Sequence, residues 1–328
     1  MKKTILILAI AVSFSSIAIS QEGKPFVKVF ANYNSSMEED YAEFEIKRTY
    51  LGYSYKFADG FSAKVTLDVG KNSGGSQYTA FLKTASLNYK ASDQLSLDLG
   101  MIGTKNFKFM EKAWGKRYIE KSALDKYKWA NSADAGISGT FKISDMISID
   151  AQMVNGEGYK NTQSDGLFRT GAGVTIKLND KISGRLFIDN VPSSIDSVIY
   201  DQQTITTGAI VYKNSNYILG AEMSSMENQN NIISDIKREL VSLYGSMNMG
   251  NYTFFVRRDI MSTDDEGINE IHAIQSGDGM FQIMGVERQI TKGLKMSINM
   301  QTSQAETLED APEAEEIGTF YVNLEYKF

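Results

Sequence analysis

The 328-residue sequence has no cysteine, 3 prolines and 1 histidine, and its 34 basic against 40 acidic side chains give a net charge of -6. The missing cysteines exclude a disulfide-stapled scaffold, and dispersed bases in an acidic chain exclude a nucleic-acid-binding surface. A mean hydropathy of -0.27 matches a polar soluble protein, but equally a membrane barrel whose lipid-facing and water-facing residues alternate and average out.

The chain opens on MKKTILILAIAVSFSSIAIS, which has two lysines, an apolar run too short to span a bilayer, and small residues at Ala18 and Ser20. This pattern predicts a secretory signal over 1–20, cleaved before Gln21, and one exported domain over 21–328. An uncleaved anchor is the alternative. Beyond Ser20, period-two alternation recurs throughout. In FSAKVTLDVG, Phe61, Ala63, Val65, Leu67 and Val69 share one face, with Ser62, Lys64, Thr66 and Asp68 on the other. Strands are expected to begin near Phe26, Ala42, Phe61, Tyr78, Leu95, Ala133, Ile147, Phe168, Ile182, Gln203, Tyr217, Glu239, Tyr252, Met280, Leu294 and Ile317, about 16 in all. Pro25, Pro192 and Pro312 fall at or beyond strand ends, as a ladder that needs N–H donors requires.

The connections alternate in length. Tight turns follow even-numbered strands: ADG (58–60), ASDQ (91–94), NDK (179–181), NSN (214–216) and TKG (291–293). Longer polar stretches such as KNSGGSQ, EGYKNTQSDG, PSSIDSVIYDQ, ENQNNIISDIKR and AETLEDAPEAEE follow odd-numbered ones. The expectation is an all-β fold: a transmembrane antiparallel β-barrel of a Gram-negative outer membrane, with short periplasmic turns and long extracellular loops. A soluble sandwich or solenoid also alternates side chains, but gives no reason for loop length to alternate. The last strand, GTFYVNLEYKF, sets Phe320, Val322, Leu324, Tyr326 and Phe328 on the expected lipid face, closing the barrel on the first strand and placing Phe328 in a rim girdle.

A barrel of about 16 strands leaves an aqueous channel. Inward positions have mixed sign: Arg48, Lys64, Arg169, Arg185 and Arg257 with Asp68, Asp98, Asp150, Asp189 and Glu222. The longest interruption, TKNFKFMEKAWGKRYIEKSALDKYKWANS over 104–132, carries both tryptophans and 8 basic against 3 acidic residues. Its Phe107, Phe109, Met110, Trp114, Tyr118 and Ile119 need burial. Folding back into the barrel would bury them and set ammonium and guanidinium groups where ions pass. The expected anion-binding constriction is Lys105, Lys108, Lys112, Lys116, Arg117 and Lys121, assisted by Arg48, Arg169 and Arg185 on the wall. The alternative is a solvated outer loop whose charges meet lipid phosphates.

No catalytic residue, cofactor or metal ligand set is expected. The one histidine, His272, lies in INEIHAIQSG beside Asp264, Asp265, Glu266 and Glu270, without a serine-hydrolase elbow. The acidic ETLEDAPEAEE reads as a solvated loop, with divalent-cation bridging to lipopolysaccharide as the alternative. Val154–Gly158, VNGEG, is followed by no helical pattern and does not read as a nucleotide loop. A receptor or adhesion role is supported by no repeat or long insertion.

In FEIKRTYLGYSYKFADGFSAKVTLDVG, LNYKASDQLSLDLGMIGTKNFKFMEK, YIEKSALDKYKWANSADAGISGTF and AQMVNGEGYKN the chain resembles the phosphate-selective porin O and P proteins of Gram-negative outer membranes. The resemblance covers about 44 to 190 and thereafter rests on length, strand rhythm and the terminal Phe. It implies a 16-stranded, usually trimeric barrel with a basic constriction, passing small anions such as phosphate. Lys47 and Arg48 match the family's basic pair in the second strand, and Phe328 resembles the signal read by the outer-membrane assembly machinery. GMIGTKNFKFM departs from the family's pore-floor motif and lacks its proline. A non-selective diffusion porin is therefore the alternative function, and an outer-membrane hydrolase or receptor barrel a further one.

Overall fold

The computed structural model describes residues 23–71, 77–195, 201–232, 236–265, 277–307 and 312–328. The expected signal over 1–20, His272, Glu266, Glu270, Glu309 and Asp310 lie outside the described residues.

The strands are β1 (Lys24–Ser36), β2 (Ala42–Lys56), β3 (Phe61–Lys71), β4 (Tyr78–Lys90), β5 (Leu95–Ile102), β6 (Asp134–Lys142), β7 (Ile147–Val154) and β8 (Arg169–Lys177). They continue as β9 (Ile182–Val191), β10 (Gln203–Lys213), β11 (Tyr217–Glu227), β12 (Ile236–Met249), β13 (Tyr252–Asp265), β14 (Gly279–Thr291), β15 (Leu294–Ala305) and β16 (Ile317–Lys327). Each pairs antiparallel with its sequence neighbours, and β16 pairs with β1 to close the barrel. The seam runs from Lys28 opposite Lys327 to Ser36 opposite Thr319, and Val27 and Phe328 exchange backbone hydrogen bonds of 2.8 and 3.1 Å. Closure satisfies the ladder groups that an open edge strand would leave unpaired.

Alternation decides the two faces. Leu186, Ile210, Leu219, Met223 and Val256 are half or more exposed on the outside, whereas Asp68, Ser224, Asp259 and Asn323 are fully buried on the inside. The expected strand starts fall within three residues of the observed ones, and short turns follow the even strands.

Bulges break the period at the two places that matter most for the lumen. The β1–β2 register steps from Phe30 opposite Arg48 to Ala31 opposite Ile46, so Lys47 is the extra residue and both Lys47 and Arg48 face inward. The β3–β4 register steps from Thr66 opposite Thr84 to Leu67 opposite Leu82, which turns Lys83 inward beside Thr84. A bulge re-aims a side chain that strict alternation would send to the other face.

Because the outer band is apolar and faces away from the lumen, charge placed in it should be costly. Leu186→Arg, on the exposed face of β9, is expected to destabilise the barrel folded in lipid vesicles by about 2–4 kcal/mol, measured by urea titration; a cost near zero would place that face in water.

Candidate pore constriction

The connection between β5 and β6 lies inside the barrel. It forms two short helices, α1 (Lys108–Trp114) and α2 (Ala123–Lys126). Phe107, Met110 and Trp114, spaced three and four apart, share one buried face. Met110, Trp114, Tyr118 and Ile119 pack with Phe30, Tyr50, Val211, Tyr244, Phe255 and Ile283, while Phe107, Leu124 and Trp129 pack with Ile205, Met226, Leu240 and Met261. Burying each such side chain contributes about 1.5–3 kcal/mol. The seat is mostly the inner face of β10 to β14, where apolar side chains such as Ile205, Leu240, Phe255 and Ile283 interrupt an otherwise polar lumen wall.

Polar contacts fix the loop's tip. Three successive carbonyls are captured: Ile119 accepts from Lys47 Nζ at 2.9 Å, Glu120 from Trp114 Nε1 at 2.9 Å, and Lys121 from the Arg257 guanidinium. The Glu120 carboxylate accepts the Lys121 N–H at 2.7 Å and lies 3.9 Å from Lys47. Burial opposes its ionisation, but Lys47, Lys126 and the Lys121 N–H outweigh burial and hold the carboxyl down at about 2.

The structure separates the basic residues into two groups, with Arg117 belonging to both. The wall arginines are ion-paired. Arg48 meets both Asp68 oxygens at 3.1 Å, Arg169 reaches Asp189 through Nε at 2.7 Å, Arg185 grips Asp150 with two bonds of 2.7 Å, and Arg257 grips Asp259 at 2.8 and 2.6 Å. Arg185 reaches β7 by crossing Gly173, where a Cβ would stand 2.9 Å from its Nη2. On the loop, Arg117 bridges Glu111 and Asp125 at 2.8 Å each, Lys121 approaches Asp125 at 3.7 Å, and Lys105 bonds Asp98 at 3.4 Å and Thr140 at 3.1 Å. Lys116 is buried between the Trp114 and Phe255 rings, and burial lowers its pKa. Lys108 and Lys112 are exposed on α1.

The second group surrounds the space the loop leaves free. Leaning on β10 to β14, the loop leaves a cavity of about 490 Å³ against β15, β16 and β1 to β4. It is lined by Lys28, Lys64, Lys83, Arg117, Lys295 and Lys327 against Glu111 and Glu325. Of the nine residues expected to form the constriction, Arg117 alone lines it. A second cavity shares Lys64 and continues past Lys24 and Lys56 toward the short-turn rim.

Most of these lysines rest on aromatic rings. Lys64 stands 5.1 Å from the Phe26 centroid, Lys83 5.1 Å from Tyr50, Lys28 5.8 Å from Phe30 and Lys295 4.4 Å from Tyr118. Lys295 also pairs with Glu287 at 3.1 Å and Lys83 with Asp68 at 3.6 Å, but Lys28, Lys64 and Lys327 have no ion pair among the described residues. A ring steadies an ammonium without cancelling its charge, whereas a bidentate carboxylate does both. Period-two alternation turns Lys64 inward and sets Lys295 and Lys327 opposite the apolar face. Lys83 was hidden by its bulge, and Lys28 by a strand with apolar residues on both faces.

No protein-family profile and no curated protein matches the sequence. Solved structures do match in fold. An anion-selective porin from Comamonas acidovorans superposes with a TM-score of 0.69 at 11% identity, covering 94% of this chain and 100% of that one. The outer membrane channel DcaP of Acinetobacter baumannii gives 0.64 at 12% identity, covering 94% and 97%, and a trimer form of OmpT, an outer membrane protein of Vibrio cholerae, gives 0.65 at 10%, covering 94% and 99%. At these identities the likeness is one of fold, which in this chain is a closed antiparallel barrel of 16 strands.

Both tryptophans sit in the seated loop, so their fluorescence reports its docking. Glu120 favours docking above the ordinary carboxylate range, and that contribution is lost as pH falls from about 4.3 toward about 2. Emission should stay blue-shifted from pH 7 to the ordinary carboxylate range and then move to the red. Glu120→Gln should weaken docking at neutral pH and shrink the acid step; an unchanged titration would contradict this role.

Proposed function

We propose that the chain is an outer-membrane porin, a passive aqueous pore through which small solutes diffuse without any chemical step, with a preference for anions, phosphate among them. The observation that carries this reading is the cavity beside the loop, with six basic and two acidic side chains on its wall and most of the lysines braced on rings. A surplus of fixed positive charge in a narrow, partly dehydrated passage lowers the cost of admitting an anion and raises that of a cation. The description of the Comamonas porin as anion-selective supports the reading by analogy of fold.

The loop 104–132 acts here mainly as a wedge that narrows the lumen and directs solutes past the lysines, with Arg117 as its direct contribution. Lys105, Lys108, Lys112, Lys116 and Lys121 add positive potential from behind, and Arg48, Arg169 and Arg185 hold the wall. A non-selective diffusion pore is the second reading, favoured by the ion pairs that neutralise those arginines. Assembly as a homotrimer, export by the signal over 1–20, contact with lipopolysaccharide, and recognition of Phe328 by the assembly machinery belong to the same proposal. Phe328 lies exposed at the short-turn rim, and a trimer is described for the Vibrio cholerae barrel.

Replacing Lys28, Lys64 and Lys83 together with glutamate changes the lining from six bases and two acids to three bases and five acids, or from +4 to -2. The ratio of chloride to potassium permeability in planar bilayers is expected to fall below one. The same reversal at Lys108 and Lys112, which do not line the cavity, is expected to move it less. A ratio unmoved by the triple reversal would overturn the assignment of selectivity to this passage.

A further inference from the structure

The segment after β7 carries a motif that neither the barrel nor the passage explains. Val154–Gly158 is followed by Tyr159 and Lys160, and the segment is strapped onto the end of the inserted loop. The Asp134 carboxylate accepts the N–H groups of Gly156 at 2.7 Å and Gly158 at 3.2 Å, Asn131 donates to the Gly156 carbonyl at 3.0 Å, and the Tyr159 N–H donates to the Ala133 carbonyl at 3.0 Å. Gly158 has φ +81°, and a Cβ there would stand 2.6 Å from the Asn131 side chain, so the strap needs glycine at this position.

Strapping brings two side chains over the lumen. The Tyr159 hydroxyl donates to Asp68 at 2.6 Å, beside the Arg48 and Lys83 that share this carboxylate. Lys160 lies 4.7 Å from the Phe81 ring and 6.0 Å from the Tyr159 ring, and Lys83 lies 5.0 Å from the latter. Lys160 makes no ion pair among the described residues. Its surroundings are crowded with like charge: after burial, Arg48 lowers its pKa most, Lys83 and Lys128 add to this, and Asp68 alone opposes them. Arg48, Lys83 and Lys160 set three positive charges against the single negative charge of Asp68, and an incoming anion would reduce that excess.

We infer that Lys160, held by the Asp134 strap and acting with Lys83 and Arg48, forms an entry site for small oxyanions on the long-loop side of the pore, ahead of the lysine-lined cavity. The inference rests on the anion-pore reading but makes a separate claim, because the site serves one mouth only. Lys83 belongs both to this cluster and to the cavity lining, so an anion handed from Lys160 to Lys83 is already inside the passage.

The test is single-channel chloride current in planar bilayers, with inorganic phosphate added to one compartment at a time. Wild-type protein is expected to show more frequent phosphate block from the long-loop side. Lys160→Gln should reduce the blocking rate from that side by roughly two- to fivefold, the worth of one exposed charge, and leave the other side unchanged. Gly158→Ala, which displaces the strap without removing the charge, should reproduce the one-sided loss. Equal effects of Lys160→Gln on both sides, or none on either, would overturn the entry site while leaving the anion preference standing. Wild-type block that is absent from both sides would instead count against phosphate passage itself and take the entry site with it.

Discussion

Everything in the lumen depends on where the loop between β5 and β6 buries its apolar side chains. A segment with Phe107, Met110, Trp114, Tyr118, Ile119 and Leu124 cannot stand in water without large cost, and a barrel offers it one interior. The inner face of β10 to β14 is apolar where the loop lands, so the wedge is held to one side. Capture of three successive carbonyls by Lys47, Trp114 and Arg257 then fixes the tip. What is left open is dictated by what is filled: the free space lies against β15, β16 and β1 to β4.

Two kinds of cation follow from that division, and they do different work. Arginine suits the wall's ion pairs because its planar fork binds a carboxylate with two bonds and leaves little charge over. Arg185 with Asp150 and Arg257 with Asp259 are such units, both buried. Losing either partner would strand a buried charge, so these pairs make the wall rigid but are spent electrostatically. Lysine suits the open side. Its ammonium rests on Phe26, Phe30, Tyr50 or Tyr118 and keeps its charge on a flexible stem.

Much of this architecture was legible in the residues, because a strand reports its two faces every second position. The start of nearly every strand, the alternation of short and long connections and the closing role of Phe320 to Phe328 all come from that period. The need of the 104–132 segment for burial was legible too. Its seat was not: alternation read for an outer apolar face does not register that Phe255, Phe281 and Ile283 make the inner face apolar as well. Nor could it anticipate bulges, which turned Lys47 and Lys83 inward against the period. Ion pairs such as Arg185 with Asp150 span two strands and depend on the missing side chain of Gly173, a matter of register that only the folded barrel fixes. Charge counting therefore points to the basic loop, whereas the cavity beside the loop is lined mostly by wall lysines.

The claim that fixed positive charge lines the open path is tested most directly by the zero-current potential of the purified barrel in a planar bilayer under a potassium chloride gradient. The account predicts a potential of the sign set by chloride, shrinking as phosphate is added and competes for the lysines. A potential of the sign set by potassium, or none at all, would contradict it.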